Sequence, residues 1–166
     1  MFELKRLHRN AVPAALARAE RYRLLNEAHE AESIARDILA VDPENHEAHV
    51  LLILALTDQF PHHLAETWAE AEKLVGTLRD PHAAAYYRGI LHERRAKARL
   101  KAGRVGSRHG VYDDLRHAME LFEKAAACAP EGDDSALLRW NTCARVLNSD
   151  PSLQPVQEST EPAMLE

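Results

Sequence analysis

The sequence predicts an all-α protein, and three observations carry that reading. Ala, Leu, Glu and Arg dominate the 166 residues while aromatic residues make up 5% of them, a balance that suits helices packed closely on small side chains. Apolar residues recur at three-and-four spacing, as in Ala31, Ile34, Ala35, Ile38 and Leu39, which places them on one helical face. Breaks such as Asp42-Pro43-Glu44-Asn45 separate these stripes: Pro43 cannot continue a helix, and Asn45 can cap the next.

Taken in order, the first ten residues predict a short helical turn with Phe2, Leu4 and Leu7 packing on the next segment of the chain. Pro13 suits the first turn of a helix that runs to about Leu25, with Ala15, Ala19, Tyr22 and Leu25 on one side. A second helix spans Ala28 to Val41. A third follows Asn45 and ends near Gln59, facing Leu52, Ile53 and Leu56 inward. Phe60-Pro61-His62-His63 reads as a turn, and a fourth helix from Leu64 to about Leu78 carries Trp68, Ala71, Leu74, Val75 and Leu78 at helical spacing. Asp80-Pro81 opens a fifth helix to Ala102, and Gly103 stops it. The glycine-rich stretch Gly103 to Gly110 is expected to be a mobile or ligand-ordered loop. A sixth helix from Val111 to about Cys128 and a seventh from Ser135 to Leu147 complete the series. The expected organisation is one helical domain over 1–149. The Pro-, Ser- and Glu-rich remainder, 150–166, is expected to be disordered.

Charge narrows the function classes. The net charge is −5, yet Arg88 to His109 holds eight Lys or Arg residues against one acid, Glu93. An acidic body argues against general nucleic-acid binding. No window is long and apolar enough to span a membrane. No apolar stretch follows the charged start as in a secretory signal. With two cysteines, the simplest expectation is a reduced cytoplasmic protein with both thiols free.

Candidate chemistry is sparse. Of the ten histidines, His46 and His49 lie one turn apart and His62 and His63 beyond the other end of the same helix, so they do not converge on one ion. They read as solvated surface residues, with no metal or cofactor expected. Cys128 and Cys143 read as small packing residues, and Trp68 and Trp140 as core. The glycine loop lacks the Lys-Ser/Thr ending of a phosphate-binding loop. Arg94, Arg95, Lys97, Arg99 and Lys101 run all round the fifth helix, followed by Arg104 and Arg108. This basic patch is either a solvated helix end or a dock for an acidic partner or for the chain's own acidic surface. No acid–base pair or nucleophile cluster points to an enzyme.

Two segments align without gaps, AESIARDILAVDP (Ala31 to Pro43) and AMELFEKAAACAP (Ala118 to Pro130). Together with Ala19 and Tyr22 upstream, and with Phe122 and Ala125, they resemble the tetratricopeptide repeat, a helix–turn–helix unit of about 34 residues. Departures are visible: Ala15 stands at the family's tryptophan, Ala35 and Ile38 replace its usual aromatic and alanine, and the spacings Ala31–Ala71 and Ala71–Ala118 exceed one repeat. The resemblance implies a right-handed superhelical solenoid of about three helix pairs plus a capping helix. It further implies a concave groove lined by the first helix of each pair. Leu16, Glu20, Arg23 and Leu24 would come from the first such helix, and Glu47, Val50, Leu54 and Asp58 from the next. Tyr86, Ile90 and Arg94 would come from the fifth helix, and Asn141 and Arg145 from the seventh. A non-catalytic module holding a peptide or a helix of another protein in that groove is the expected function, with a homo-oligomer left open. The alternative is an anionic ligand on the basic region between Arg94 and Arg108.

Overall fold

A computed structural model describes residues 2–103 and 107–155. Among them are a short 3-10 turn at Arg9–Ala11 and seven α-helices: α1 (Val12–Leu24), α2 (Ala28–Val41), α3 (His46–Asp58), α4 (Phe60–Val75), α5 (Pro81–Ala102), α6 (Ser107–Ala127) and α7 (Ser135–Ser149). No strand occurs among the described residues. Each helix packs on its neighbour in sequence, and α3 also touches both α1 and α5. That sets α1, α3 and α5 side by side.

Local chemistry fixes the joints. After α1, Asn26 takes a left-handed conformation (φ 62°). Its N–H donates to the Arg23 carbonyl and that of Glu27 to the Tyr22 carbonyl, the two bonds of a Schellman closure. The Asn45 Oδ1 accepts from Ala48 N at 2.9 Å and caps α3, as its place after Pro43 predicts. Asp80 does the same for α5 through Ala83 N at 2.9 Å, with Pro81 in the first turn. Gly103 (φ 62°) closes α5 as expected.

The helix ends depart from expectation in four places. Helix α4 begins at Phe60, not Leu64: Pro61 sits in its first turn, and the His62 and His63 N–H groups both donate to the Gln59 carbonyl. A non-helical backbone at His63 (φ −130°, ψ 34°) bends the helix there. It also stops at Val75, leaving Thr77 and Leu78 in a turn. Helix α6 starts at Ser107, four residues before Val111. Gly110 lies inside it because Arg99 crosses its backbone: a Cβ there would stand 3.1 Å from the Arg99 guanidinium, which donates to the Gly110 carbonyl. The expected loop from Gly103 to Gly110 is therefore helical over 107–110, and 104–106 lie outside the described residues. The expected disordered tail is ordered at its start. Leu153 is 4% exposed against the core beneath α6 and α7, and the Asp150 carboxylate accepts from Arg108 at 2.9 Å. Residues 156–166 lie outside the described residues.

Two main cores flank α5. One gathers Ala19, Ala35, Ile53, Leu56, Phe60 and Val75 from α1 to α4, with Leu91 and Ala98 of α5. The other gathers Val111, Leu115, Phe122, Ala136 and Cys143 from α6 and α7, with Ile90 and Ala96 of α5. A small third cluster of Val12, Ile38, Val41 and Ala48 receives Leu7. Phe2 and Leu4, expected to pack nearby, are instead exposed. The stripe expected on the third helix holds, with Leu52, Ile53 and Leu56 all buried.

Candidate binding groove

Helices α1, α3 and α5 border an open cleft of about 1000 Å³. Its apolar floor consists of Leu16, Val50, Leu51 and Leu54, with Tyr87 at the α5 side. Glu20 and Glu47 stand exposed on opposite walls and make no ion pair among the described residues. Arg23 in the lining is neutralised: its Nε donates to Asp58 Oδ2 at 2.8 Å. The cleft is thus apolar below and negative at the rim.

Of the residues the sequence assigned to a groove, Leu16, Glu20, Arg23, Glu47, Val50 and Leu54 meet in this cleft. Val50 is half-buried and belongs to none of the three cores, while Leu54 leans on the core shared with α6. Asp58 is spent on Arg23 and Arg94. Leu24 is exposed beyond the lining residues.

The fifth helix is turned relative to expectation. Tyr87, which the helical spacing left out, faces the cleft, and Tyr86 packs edge-on to it and against the Phe122 ring. Ile90 is 1% exposed inside the second core, so its assignment to the groove is corrected. The error follows from Gly89. A Cβ at that position would fall 2.6 Å from the Phe122 ring. Only hydrogen fits, so α5 is drawn onto α6 along its 86–90 edge. Asn141 borders a separate shallow cavity of about 300 Å³ with Phe122, Leu137 and Trp140, and Arg145 is exposed on α7. Neither lines the main cleft.

The basic run on α5 is consumed internally. Arg94 reaches across to Asp58, the Thr57 hydroxyl and, at 3.1 Å, the Leu54 carbonyl. Burial pulls its guanidinium below its ordinary pKa while the Asp58 charge opposes the shift. Arg95 and Arg99 both donate to Asp114 on α6, the latter at 2.7 Å. Asp114 is 3% exposed and also pairs with His92 at 3.2 Å. Burial works to raise its carboxyl. The hydrogen bonds from His92 and Arg95 and the charges of Arg95 and Arg99 outweigh burial and hold it below the usual carboxylate range. Lys97 and Arg139 converge on Glu93, which is fully buried. The Arg95 guanidinium also stacks 3.7 Å over the Trp68 ring. Arg108 holds Asp150, Lys101 is exposed, and Arg104 lies outside the described residues. Of the two readings of this basic patch, docking on the chain's own acids is the one the contacts match. The sequence displayed the run of cations, but its partners Asp58 and Asp114 lie many residues away, where no local signal marks them.

The remaining candidates sort by burial. His46, His62 and His63 are exposed, as expected. His49, His82 and His92 are instead partly buried: His49 Nε2 lies 2.8 Å from the Pro43 carbonyl, while His82 Nδ1 lies 2.9 Å from the Ala125 carbonyl and Nε2 lies 3.5 Å from Asp133. No cluster of three or more His, Cys, Asp or Glu side chains fit to hold a metal occurs among the described residues. Both cysteines are free thiols. Cys143 packs in the core, where burial pushes its thiol up to about 12, whereas Cys128 is exposed rather than packed. Trp68 lies half-buried against the first core, and Trp140 is half-buried with its indole N–H donating to Glu123 at 2.9 Å. No helix among the described residues is long and apolar enough to cross a membrane. No protein-family model, curated protein or solved structure matches the chain.

Proposed function

We propose that this chain is a non-catalytic protein-interaction module. In this reading it is a tetratricopeptide-like, right-handed array of helix pairs that acts in the cytoplasm as an adaptor, scaffold or assembly factor. It holds a peptide or a helix of another protein in the α1–α3–α5 cleft. The observation that carries the reading is Val50. It sits on the cleft floor, half-buried, while Leu51, Leu52, Ile53 and Leu56 already supply the core face of α3. Apolar surface beyond what a core needs, set in a concave face, marks an interaction site. The reading in which α5 grips nucleic acid or another anion finds little support, because Arg94, Arg95, Lys97 and Arg99 are already engaged by buried or half-buried acids.

Selecting binders from a displayed peptide library against the whole chain tests this. Burying a Val-sized side chain contributes about 1.5–3 kcal/mol, so Val50→Asp is expected to weaken the selected peptides about ten-fold or more with circular dichroism and melting temperature unchanged. A Val50→Asp chain that folds and binds them normally overturns the cleft assignment.

A further inference from the structure

We propose that the cleft receives the leading segment, Phe2 to Arg6, of a second copy of this chain. The inference rests on reading the cleft as a binding surface and adds the identity of one occupant.

Two separate features match. The segment carries two of the most exposed apolar side chains in the structure, Phe2 at 101% and Leu4 at 87% of full exposure. Lys5 and Arg6 follow them, both exposed and without an ion pair among the described residues. The cleft offers the complement: an apolar floor at Leu16, Val50 and Leu54, and on its walls two carboxylates, Glu20 and Glu47, that have no ion pair among the described residues. On an extended strand Phe2 and Leu4 fall on the same side and suit the apolar floor, while Lys5 and Arg6 outnumber Glu3 and leave the segment net positive against the acidic walls.

Within its own molecule the segment lies outside the cleft, none of whose lining residues comes from it. Leu7 is packed beside Val12, Ile38, Val41 and Ala48, and Arg9 Nε donates to the Val41 carbonyl at 3.2 Å. Ile38 and Val41 belong to α2, which takes no part in lining the cleft. Val12 and Leu16 of the same cluster line the cleft, so Leu7 ties the segment down at the cleft's edge, and Phe2 and Leu4 nevertheless stand in water. Exchange of such segments between two copies gives a two-fold interface in which each copy is donor and acceptor at once. Two short segments form a small interface, so the dimer is weak and reversible.

Sedimentation equilibrium of the whole chain over a concentration series is the test. A monomer–dimer equilibrium in the micromolar-to-millimolar range is expected. Phe2→Asp/Leu4→Asp and, separately, Glu20→Lys/Glu47→Lys each weaken it about ten-fold or more with helicity retained. The decisive measurement mixes these two variants. One has an intact cleft and the other an intact segment, so together they rebuild one of the two contacts and associate more tightly than either does alone. A chain that stays monomeric throughout overturns the proposal. So does association that ignores both variants, or a mixture no tighter than its components. A monomer in which the segment variants alone raise the affinity of library-selected peptides shows the segment lying in its own cleft, which also overturns it. Val50→Asp separates the two levels: if it weakens those peptides while the chain never dimerises, the cleft reading stands and only the second copy falls.

Discussion

At the scale of single residues, the structure turns on acids that the chain takes out of water. Asp114 is the clearest case, a carboxylate at the α5–α6 seam that accepts from Arg95, Arg99 and His92. Removing one member of a buried charge cluster leaves the others without compensation. Asp114→Ala is expected to lower stability by about 2–4 kcal/mol in urea unfolding, the lower end reflecting the partial exposure of Arg99. Its pH dependence has a definite sign. The folded-state pKa lies below the unfolded one, so the contribution is fully present above about pH 4, the unfolded carboxyl's value. It is lost as pH falls through the lower folded value. The urea midpoint of the natural chain should therefore drop on acidification, and that of Asp114→Ala should drop less. The thiols give a second check. Cys128 is expected to react promptly with a disulfide reagent in the native state, and Cys143 only on unfolding, because its thiolate fraction is suppressed by burial. A native count of two fast thiols would contradict this. The sequence could show that α5 is basic; it could not show the acids facing it, because Asp58 and Asp114 arrive through tertiary packing.

At the scale of helices, what was readable and what was not divides at the helix ends. The stripes of α2, α3 and α6 announce themselves by spacing, and Asn45, Asp80 and Gly103 are start and stop signals whose chemistry is local. The early start of α6 has no such signal: two glycines and a serine read as loop until Arg99 covers Gly110. The twist of α5 that sends Ile90 inward and Tyr87 to the cleft depends on a contact 33 residues away in sequence, Gly89 with Phe122. Gly89→Val would press into that ring and is expected to cost about 1–3 kcal/mol, read as a lowered melting temperature. In a Phe122→Leu background the same substitution should cost less, and equal penalties in both backgrounds would show that the ring is not the obstacle.

For the whole molecule, the all-helical class was legible. The α1 and α3 residues that line the cleft were named through the repeat resemblance, since spacing by itself marks only the stripe each helix turns inward. The closing segment after α7 was misread, since Pro, Ser and Glu obscure a single anchoring leucine. Leu153→Ser is expected to destabilise the chain by about 2 kcal/mol, and an unchanged melting temperature would place that side chain outside the core. The position of α5 between the two main cores has a further consequence. Leu91 and Ala98 serve one core while Ile90 and Ala96 serve the other, so α5 is a party wall. Opening the α6–α7 side bares one face of α5 and leaves its other face packed. Amide hydrogen exchange should then resolve two tiers of protection. The amides of α6 and α7 would exchange together through a partial opening, while those of α3 and α5 wait for unfolding of the entire chain.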